Sequence, residues 1–369
     1  AKEHPNGEKL IVILDEFPYW VNADPSIPSL LQRFWDEHGR HSKLMLILCG
    51  SSISLMVDYA LAEKSPLYGR RTGQLQLKPF DYRTAGEFFP NWTATDRLLA
   101  YGVLGGIPAY LNQFDPVLSF DENVVRYILR KDTFLGEEAE FLLKTELRDI
   151  KSYTSILKAI AAGNTTLKDL TSKVSLTATS ISSYLSNLQT LHLVVREVSM
   201  AERAPEKSKK GRYYIQDNFL NFWFRFVERN LTLVELNRGK ALHQEKIVPH
   251  LAQYMGGVFE TICQQYILLY SEEIGLPLIR RVGRVWDKDF DIDVVAETLD
   301  ETYIFGECKW TSKPVDPGLV HLLKERAGKS GLGSSNPKHI LFSSNGFTAQ
   351  ENSNSVTLLT TQELMHEKQ

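Results

Sequence analysis

Near its C-terminal end the sequence sets charged side chains inside two apolar, strand-like runs, Asp291-Ile-Asp293-Val-Val and Gly306-Glu307-Cys308-Lys309-Trp310. Side chains alternate between the two faces of a strand, so Glu307 and Lys309 project together and Cys308 projects the opposite way. By the same alternation Asp291 shares the face of Asp293. Buried strands seldom carry such charges unless they are paired or bind metal. Upstream, Gly257–Leu269 reads as an amphipathic helix with one acid, Glu260, among its apolar positions. Strands are predicted over Pro277–Trp286, Asp289–Glu297 and Thr302–Trp310, a helix over Val315–Lys329, and further strands at His339–Phe342 and Val356–Thr360. Up to His339–Phe342 the order is αβββαβ. Carboxylates on adjacent strands suit Mg²⁺ or Mn²⁺, which prefer oxygen ligands. A lysine beside them can orient or deprotonate an attacking water and offset charge building on a phosphate. Asp291 is either a second ligand or a neighbour pairing Lys309. The bland alternative is an inert ion-pair cluster of Asp293, Lys309 and Glu307.

At the opposite end, Leu10-Ile-Val-Ile-Leu14 followed by Asp15-Glu16 reads as a parallel strand buried on both faces. An acidic pair at such a strand end can hold Mg²⁺ through water (Asp15) and polarise a hydrolytic water (Glu16), or simply begin a turn. An amphipathic helix over Ser29–Glu37 precedes a second buried strand, Leu44–Leu48, which runs into Cys49-Gly50-Ser51-Ser52. Ser51 at that point can touch a phosphate or cap the next helix. Arg70 or Arg71 can serve as an arginine finger or lie on the surface. A strand is predicted at Gln74–Leu77, and Gly105-Gly106-Ile107-Pro108 interrupts a helical stretch.

Between these ends, helices are predicted over Glu137–Leu147, Ile150–Ala162, a short segment from Asn164, and Thr177–Leu191. A strand at Val194–Val198, a loop with Arg203, Lys207, Lys209 and Lys210, and a returning strand at Arg212–Ile215 complete a hairpin. Three helices and a basic hairpin make a winged helix-turn-helix arrangement, in which Lys207, Lys209, Lys210 and Arg212 can lie along DNA phosphates. Such modules also serve merely to bind protein, and the third helix lacks arginines that read guanine. The aromatics of Asp217–Val227 are read as core.

The N-terminal series Val12-Ile-Leu-Asp-Glu-Phe-Pro18, Leu46-Ile-Leu-Cys-Gly-Ser-Ser52, Tyr68-Gly-Arg70, Leu77-Lys-Pro-Phe80 and Gly105-Gly-Ile-Pro108 resembles the archaeal-type ATPases of the AAA-related P-loop class. The C-terminal region is similar to the PD-(D/E)XK nuclease superfamily, with Asp293 matching its aspartate, Glu307 and Lys309 its E-x-K pair, and Glu260 the acid of the preceding helix. Ile292 stands where that family often has proline.

These resemblances imply a multidomain α/β chain: a partial P-loop NTPase sheet with a helical lid over residues 1–145, a winged helix over 146–230, and a restriction-endonuclease-like αβββαβ domain over 231–369. They imply catalytic Glu307, Lys309, Asp293 and Glu16; metal-ligating Asp293, Glu307, Glu260 and Asp15; and nucleotide-binding Asp15, Glu16, Ser51 and Arg70. ATP and Mg²⁺ (or Mn²⁺) are the implied cofactors, and an ATP-regulated DNA-processing nuclease is the implied function. The alternative is a non-enzymatic DNA- or protein-binding regulator with vestigial ATPase and nuclease domains. The sequence contains no G-x-x-x-x-G-K-[ST] phosphate loop, and Gly7-Glu8-Lys9 has the wrong spacing to be one. The expectation is therefore a fragment or degenerate form that binds ATP weakly.

Composition narrows the partners. A net charge of −3 confines any nucleic-acid surface to local patches. Cys49, Cys263 and Cys308 show no paired spacing, which predicts reduced thiols and a cytoplasmic protein. No apolar run approaches the about 18 residues that span a bilayer. Double-stranded DNA is the expected partner, with a homo-oligomer left open.

Overall fold

The computed structural model describes residues 9–147, 149–333, 336–348 and 356–365, the side chains of 53 and 54 excepted. Gly7 and Glu8 of the segment compared with a phosphate loop lie outside that set. The chain divides into two compact units after Lys78. The boundaries expected near 145 and 230 both fall within the second unit, where one hydrophobic core runs from Tyr82 to Leu364. Among the described residues, no helix is long and apolar enough to cross a membrane.

In the first unit, β1 (Leu10–Leu14) and β2 (Leu44–Leu48) pair in parallel, Leu10 opposite Leu44 and Leu14 opposite Leu48. Between them lie α1 (Phe17–Ala23) and α2 (Ile27–Glu37), each with proline in its first turn, where a missing N–H costs nothing. The expectation of a strand buried on both faces is corrected: Ile11 and Ile13 are 57% and 59% exposed. Alternate side chains need cover on two sides. Among the described residues this unit has one apolar cluster, around Phe17, Val21, Ala60 and Leu67. The strand expected at Gln74–Leu77 does not form either, and Leu75 and Leu77 are each 85% exposed. Among the described residues the backbone there has no neighbouring strand to satisfy its N–H and C=O groups.

The second unit opens with helical segments. Helix α3 (Ala94–Leu104) is capped by the Thr93 hydroxyl and stops at Gly105, whose φ of +69° is left-handed. Gly106 lets the chain touch Phe80: a Cβ there would lie 1.9 Å from the Phe80 carbonyl oxygen. The predicted interruption is thus a turn that only glycine fits.

Helix α4 (Phe134–Glu146) leads to α5 (Ile150–Ala161), α6 (Leu167–Lys173) and α7 (Ala178–Thr190), the last three capped by Asp149, Thr166 and Thr177. The antiparallel hairpin of β3 (Val194–Glu197) and β4 (Arg212–Ile215) follows. It is extended by the Tyr213 N–H donating to the Thr165 carbonyl at 2.7 Å. Phe219, Phe222, Phe224 and Phe226 are all buried, as the aromatic run predicts.

The long helix α8 (Val248–Tyr270) precedes a five-stranded sheet in the order β5 (Ile279–Trp286), β6 (Asp291–Thr298), β7 (Tyr303–Lys309), β8 (Lys338–Ser343), β9 (Thr357–Thr360). The first three strands are antiparallel neighbours; β8 and β9 add in parallel. Helix α9 (Leu319–Lys329) makes the crossover from β7 to β8. It starts later than the predicted Val315, because Val315 forms a bridge with Phe347 instead. Val294, Ala296, Ile304, Cys308, Ile340 and Phe342 pack into the core that includes α8. Ile292, Val295, Phe305 and Leu341 pack with Val320, Leu323 and Ala327 of α9. The sheet is therefore covered on both faces, as parallel crossovers require.

Candidate active site

The ladder between β6 and β7 ends at Val294 opposite Gly306. Just beyond that pair, the Cys308 N–H donates to the carboxylate of Asp293 at 2.9 Å. A side chain has taken over a strand partner's role at the point where the backbone pairing ends. The Asp293 carbonyl is held in turn by Gln264 Nε2 of α8 at 2.8 Å.

Strict alternation holds in β7 but not in β6. Phe305 and Cys308 pack into different cores, and Glu307 shares the side of Phe305. In β6, Ile292 and Val295 both pack toward α9, although an odd number of steps separates them. The cause is a slip in pairing with β5: Gly283 faces Val295, yet Val285 faces Ile292. This bulge re-aims Asp293, a device common beside functional sites. The even period-2 reading of Asp291-Ile-Asp293-Val-Val is corrected accordingly.

Glu307 is 4% exposed and carries two cations: Lys309 Nζ at 2.7 Å from Oε1, and Arg326 Nη1 of α9 at 3.2 Å from both oxygens. Arg326 Nη1 also donates to the Asp291 carbonyl at 3.2 Å. The Asp291 side chain is 68% exposed and sits 3.9 Å from Arg326. Its partner is thus Arg326 and not Lys309 as one sequence reading had it. Arg326 gave no motif signal; only its helix face, seven residues after Leu319, could have pointed to the same side.

On α8, Glu260 lies 3.0 Å from Arg284 Nε, an ion contact without hydrogen-bond alignment, since that buried nitrogen has no hydrogen-bond partner. Arg284 is further held by Glu197 of β3 at 2.7 Å and lies over the Tyr214 ring. Burial, and then the charge of Asp293, push the Glu260 carboxyl up to about 7 against the opposing pull of Arg284. Burial, and then Glu307, raise Asp293 to about 6, although the Cys308 N–H works the other way. Burial disfavours the Lys309 ammonium, but its bond to Glu307 and the nearby carboxylates outweigh this and hold its pKa above the usual value. Glu260, Asp293, Glu307 and Lys309 thus interact electrostatically as one group. Among the described residues, however, no three His, Cys, Asp or Glu side chains are spaced to hold a metal ion as they stand.

A raised carboxyl pKa has a consequence for stability. Native Glu260 binds its proton more tightly than the unfolded chain does. Its contribution is therefore fully present below pH 4.5 and is lost as pH rises through about 7. The metal-free protein should lose melting temperature between pH 5 and pH 8. Glu260→Gln should remove part of that loss, worth ~1–2 kcal/mol at pH 8. Thermal melts at the two pH values decide it; an unchanged slope in the variant would show that Glu260 is already ionised at pH 5.

The N-terminal candidates lie in their own unit. Glu16, at a left-handed φ of 48°, turns from β1 into α1, and Asp15 accepts from its N–H. Ser51 Oγ donates to Glu16 Oε2 at 3.2 Å, so Asp15, Glu16 and Ser51 share the C-terminal ends of the two strands. Arg70 is not with them. Its Nε and Nη2 grip Asp36 at 3.0 and 2.8 Å, and its Nη1 donates to the Pro66 and Tyr68 carbonyls. Of the hairpin cations, Lys207, Lys209 and Lys210 are exposed, with Lys210 3.9 Å from Glu202. Arg212 instead stacks over Trp286, 4.6 Å from its centroid.

A family model described as an ATPase domain predominantly from Archaea matches residues 3–114. A second, DUF234, described as Archaea bacterial proteins of unknown function, matches residues 223–327 and so contains Glu260, Arg284, Asp293, Glu307, Lys309 and Arg326. Uncharacterized protein MJECL04 from Methanocaldococcus jannaschii is 37% identical over 302 residues, which is 81% of this chain and 67% of that protein. Uncharacterized protein MJ0424 from the same organism is 40% identical over 51 residues, 14% of this chain and 50% of that protein. Among solved structures, protein VC1899 from Vibrio cholerae aligns over 99% of this chain and 90% of its own at 11% identity. Its TM-score of 0.22 is too low to carry any argument about fold.

Proposed function

The chain belongs to the archaeal-type ATPase family, here joined to a DUF234 domain, and from that premise we propose that its C-terminal part is a metal-dependent nuclease acting on DNA under control of the ATPase. The observation that carries this reading is the meeting of Asp293, Glu307 and Lys309 at the ends of β6 and β7, with Glu260 near enough to feel both Asp293 and Lys309. Buried Glu307 and half-buried Glu260 and Asp293 crowd one another there, and the latter two are pushed toward neutrality. Oxygen donors of this kind are what Mg²⁺ and Mn²⁺ take, once the side chains draw closer together than they stand. Asp293, Glu260 and Glu307 would hold the ion, which supplies positive charge to a phosphodiester undergoing attack. Glu307 must first turn from Arg326. Lys309, with its pKa raised, stays protonated at neutral pH. It therefore acts by donating hydrogen bonds that orient the attacking water and offset charge on the phosphate, and not as the base.

The three helices and hairpin at 150–215 are read as a winged helix that contacts duplex phosphates through Lys207, Lys209 and Lys210. Replacing these three lysines with Ala should weaken duplex binding about tenfold at low salt. It should also lower the slope of log affinity against log salt by about 2–3. Fluorescence anisotropy across a salt series reads both; an unchanged slope moves the DNA surface elsewhere. The nuclease reading itself is tested by incubating end-labelled duplex and single-stranded DNA with the protein in Mn²⁺, in Mg²⁺ and in EDTA. Ion-dependent strand cleavage supports it, and intact DNA in all three sinks it.

A second reading, a regulator that binds DNA or protein around an inert ion-pair cluster, is favoured by one observation. Arg326 and Lys309 together already neutralise Glu307.

A further inference from the structure

Arg326 uses only part of its guanidinium. Nη1 bridges both Glu307 oxygens and the Asp291 carbonyl, each at 3.2 Å. Among the described residues, Nε and Nη2 make no hydrogen bond, although the side chain is only 23% exposed. Guanidinium groups match phosphate through two parallel donors, and the free pair here is that fork. Arg326 lies two helical turns beyond Leu319, so the two share one face of α9. Leu319 lines a cleft together with Lys309, Thr311 and Lys313. Asp316 lines that cleft too, and Arg326 stands beside it rather than in it, next to Lys309: both cations bond Glu307 Oε1, Lys309 Nζ at 2.7 Å and Arg326 Nη1 at 3.2 Å.

We infer that Arg326 is a phosphate-binding residue: its free edge, beside the Lys309 ammonium, takes a phosphoanion, a nucleic-acid phosphodiester in the first instance, and in doing so it is drawn off Glu307. The identity of the substrate rests on the nuclease reading above, whereas the phosphate site itself does not. The geometry also gives the contact with Glu307 a role. While no phosphate is bound, Arg326 occupies the carboxylate a cation would need, and the arriving phosphate releases it. Substrate and ion then assist each other, as two ligands competing with the same internal contact must.

The test is a double-mutant cycle in EDTA, where nothing is cleaved. A fluorescein-labelled duplex oligonucleotide is titrated with wild type, Glu307→Gln, Arg326→Gln and the double variant, and again with inorganic phosphate as competitor. Glu307→Gln frees the guanidinium, and the duplex should bind about three- to tenfold more tightly; Arg326→Gln should weaken it by a similar factor. In the double variant the gain from Glu307→Gln should vanish. An equal gain with and without Arg326 overturns the proposal, since it would then reflect only the loss of a negative charge. Competition by millimolar phosphate supports a site for the free anion as well; indifference to it restricts the site to the polymer. Arg326→Lys, which keeps the charge and lacks the fork, should bind between wild type and Arg326→Gln. It replaces the Gln variant should that one fail to fold. Arg326-dependent binding without Mn²⁺-dependent cleavage would retire the nuclease reading and leave the phosphate site standing. Cleavage with an unchanged KM in Arg326→Gln would do the reverse.

Discussion

An Asp293→Asn variant is expected to lose Mn²⁺ affinity and DNA hydrolysis together, each by on the order of 10²-fold or more, while folding at least as well as the wild type. The amide oxygen can still accept the Cys308 N–H, so the contact that closes the end of the ladder survives the change. What disappears is a charge raised by burial and by Glu307, and one that itself raises Glu260. Removing it relieves repulsion in a desolvated site, and the melting temperature at pH 8 should stay level or rise. A ligand charge is thus separated from a structural one, because unfolding cannot account for lost activity in a protein that has become no less stable. Calorimetric titration with Mn²⁺, a cleavage assay and a thermal melt of the same preparation give all three numbers. Retained cleavage in Asp293→Asn would remove Asp293 from the site and with it the proposed ion.

The parts of this arrangement legible in the sequence are those that depend on local pattern. Glu307 and Lys309 fall together on β7 because alternation along one strand is fixed by pleating, and the structure keeps it. The interruption at Gly105-Gly106 is legible because a left-handed φ and a backbone contact with Phe80 both exclude a side chain. Features that depend on which strand pairs with which were not legible. The slip between β5 and β6 re-aims Asp293, and nothing in Asp291-Ile-Asp293-Val-Val announces a bulge. Arg326 comes from a crossover helix 17 positions after Lys309 and meets Glu307 only through the packing of α9 on the sheet. Arg284 reaches Glu260 and Glu197 at once only because the hairpin packs beside β5. Burial was misjudged where pattern was used as a proxy for neighbours. The run Leu10–Leu14 is apolar throughout, yet Ile11 and Ile13 find no cover among the described residues. The resemblances imply domain boundaries near 145 and 230, yet one apolar cluster runs across both, from Tyr82 to Leu364, beside a second cluster under α9.

Lys309→Ala should behave differently from Asp293→Asn, and the contrast is what distinguishes a working site from a leftover ion pair. The Lys309 ammonium contributes a positive charge 2.7 Å from Glu307 Oε1 and sits near Asp293 and Glu260. Deleting it leaves the carboxyl group more negative, and Arg326 still covers Glu307. Mn²⁺ should therefore bind as well as in wild type or a few-fold more tightly, since a cation competing for the same oxygens has gone. Hydrolysis under single-turnover conditions with saturating Mn²⁺ should nevertheless fall on the order of 10²- to 10⁴-fold, the usual contribution of a positioned proton donor or charge stabiliser. The loss should appear in the rate at saturating DNA and not in KM, because the group acts on the water and the developing charge. Lys309→Arg keeps the charge but changes its position and shape, so it should recover little of the rate. If instead Lys309→Ala cleaves at the wild-type rate, the lysine serves only to neutralise Glu307. The regulator reading would then hold, with Arg326 and Lys309 as the two halves of a structural clamp.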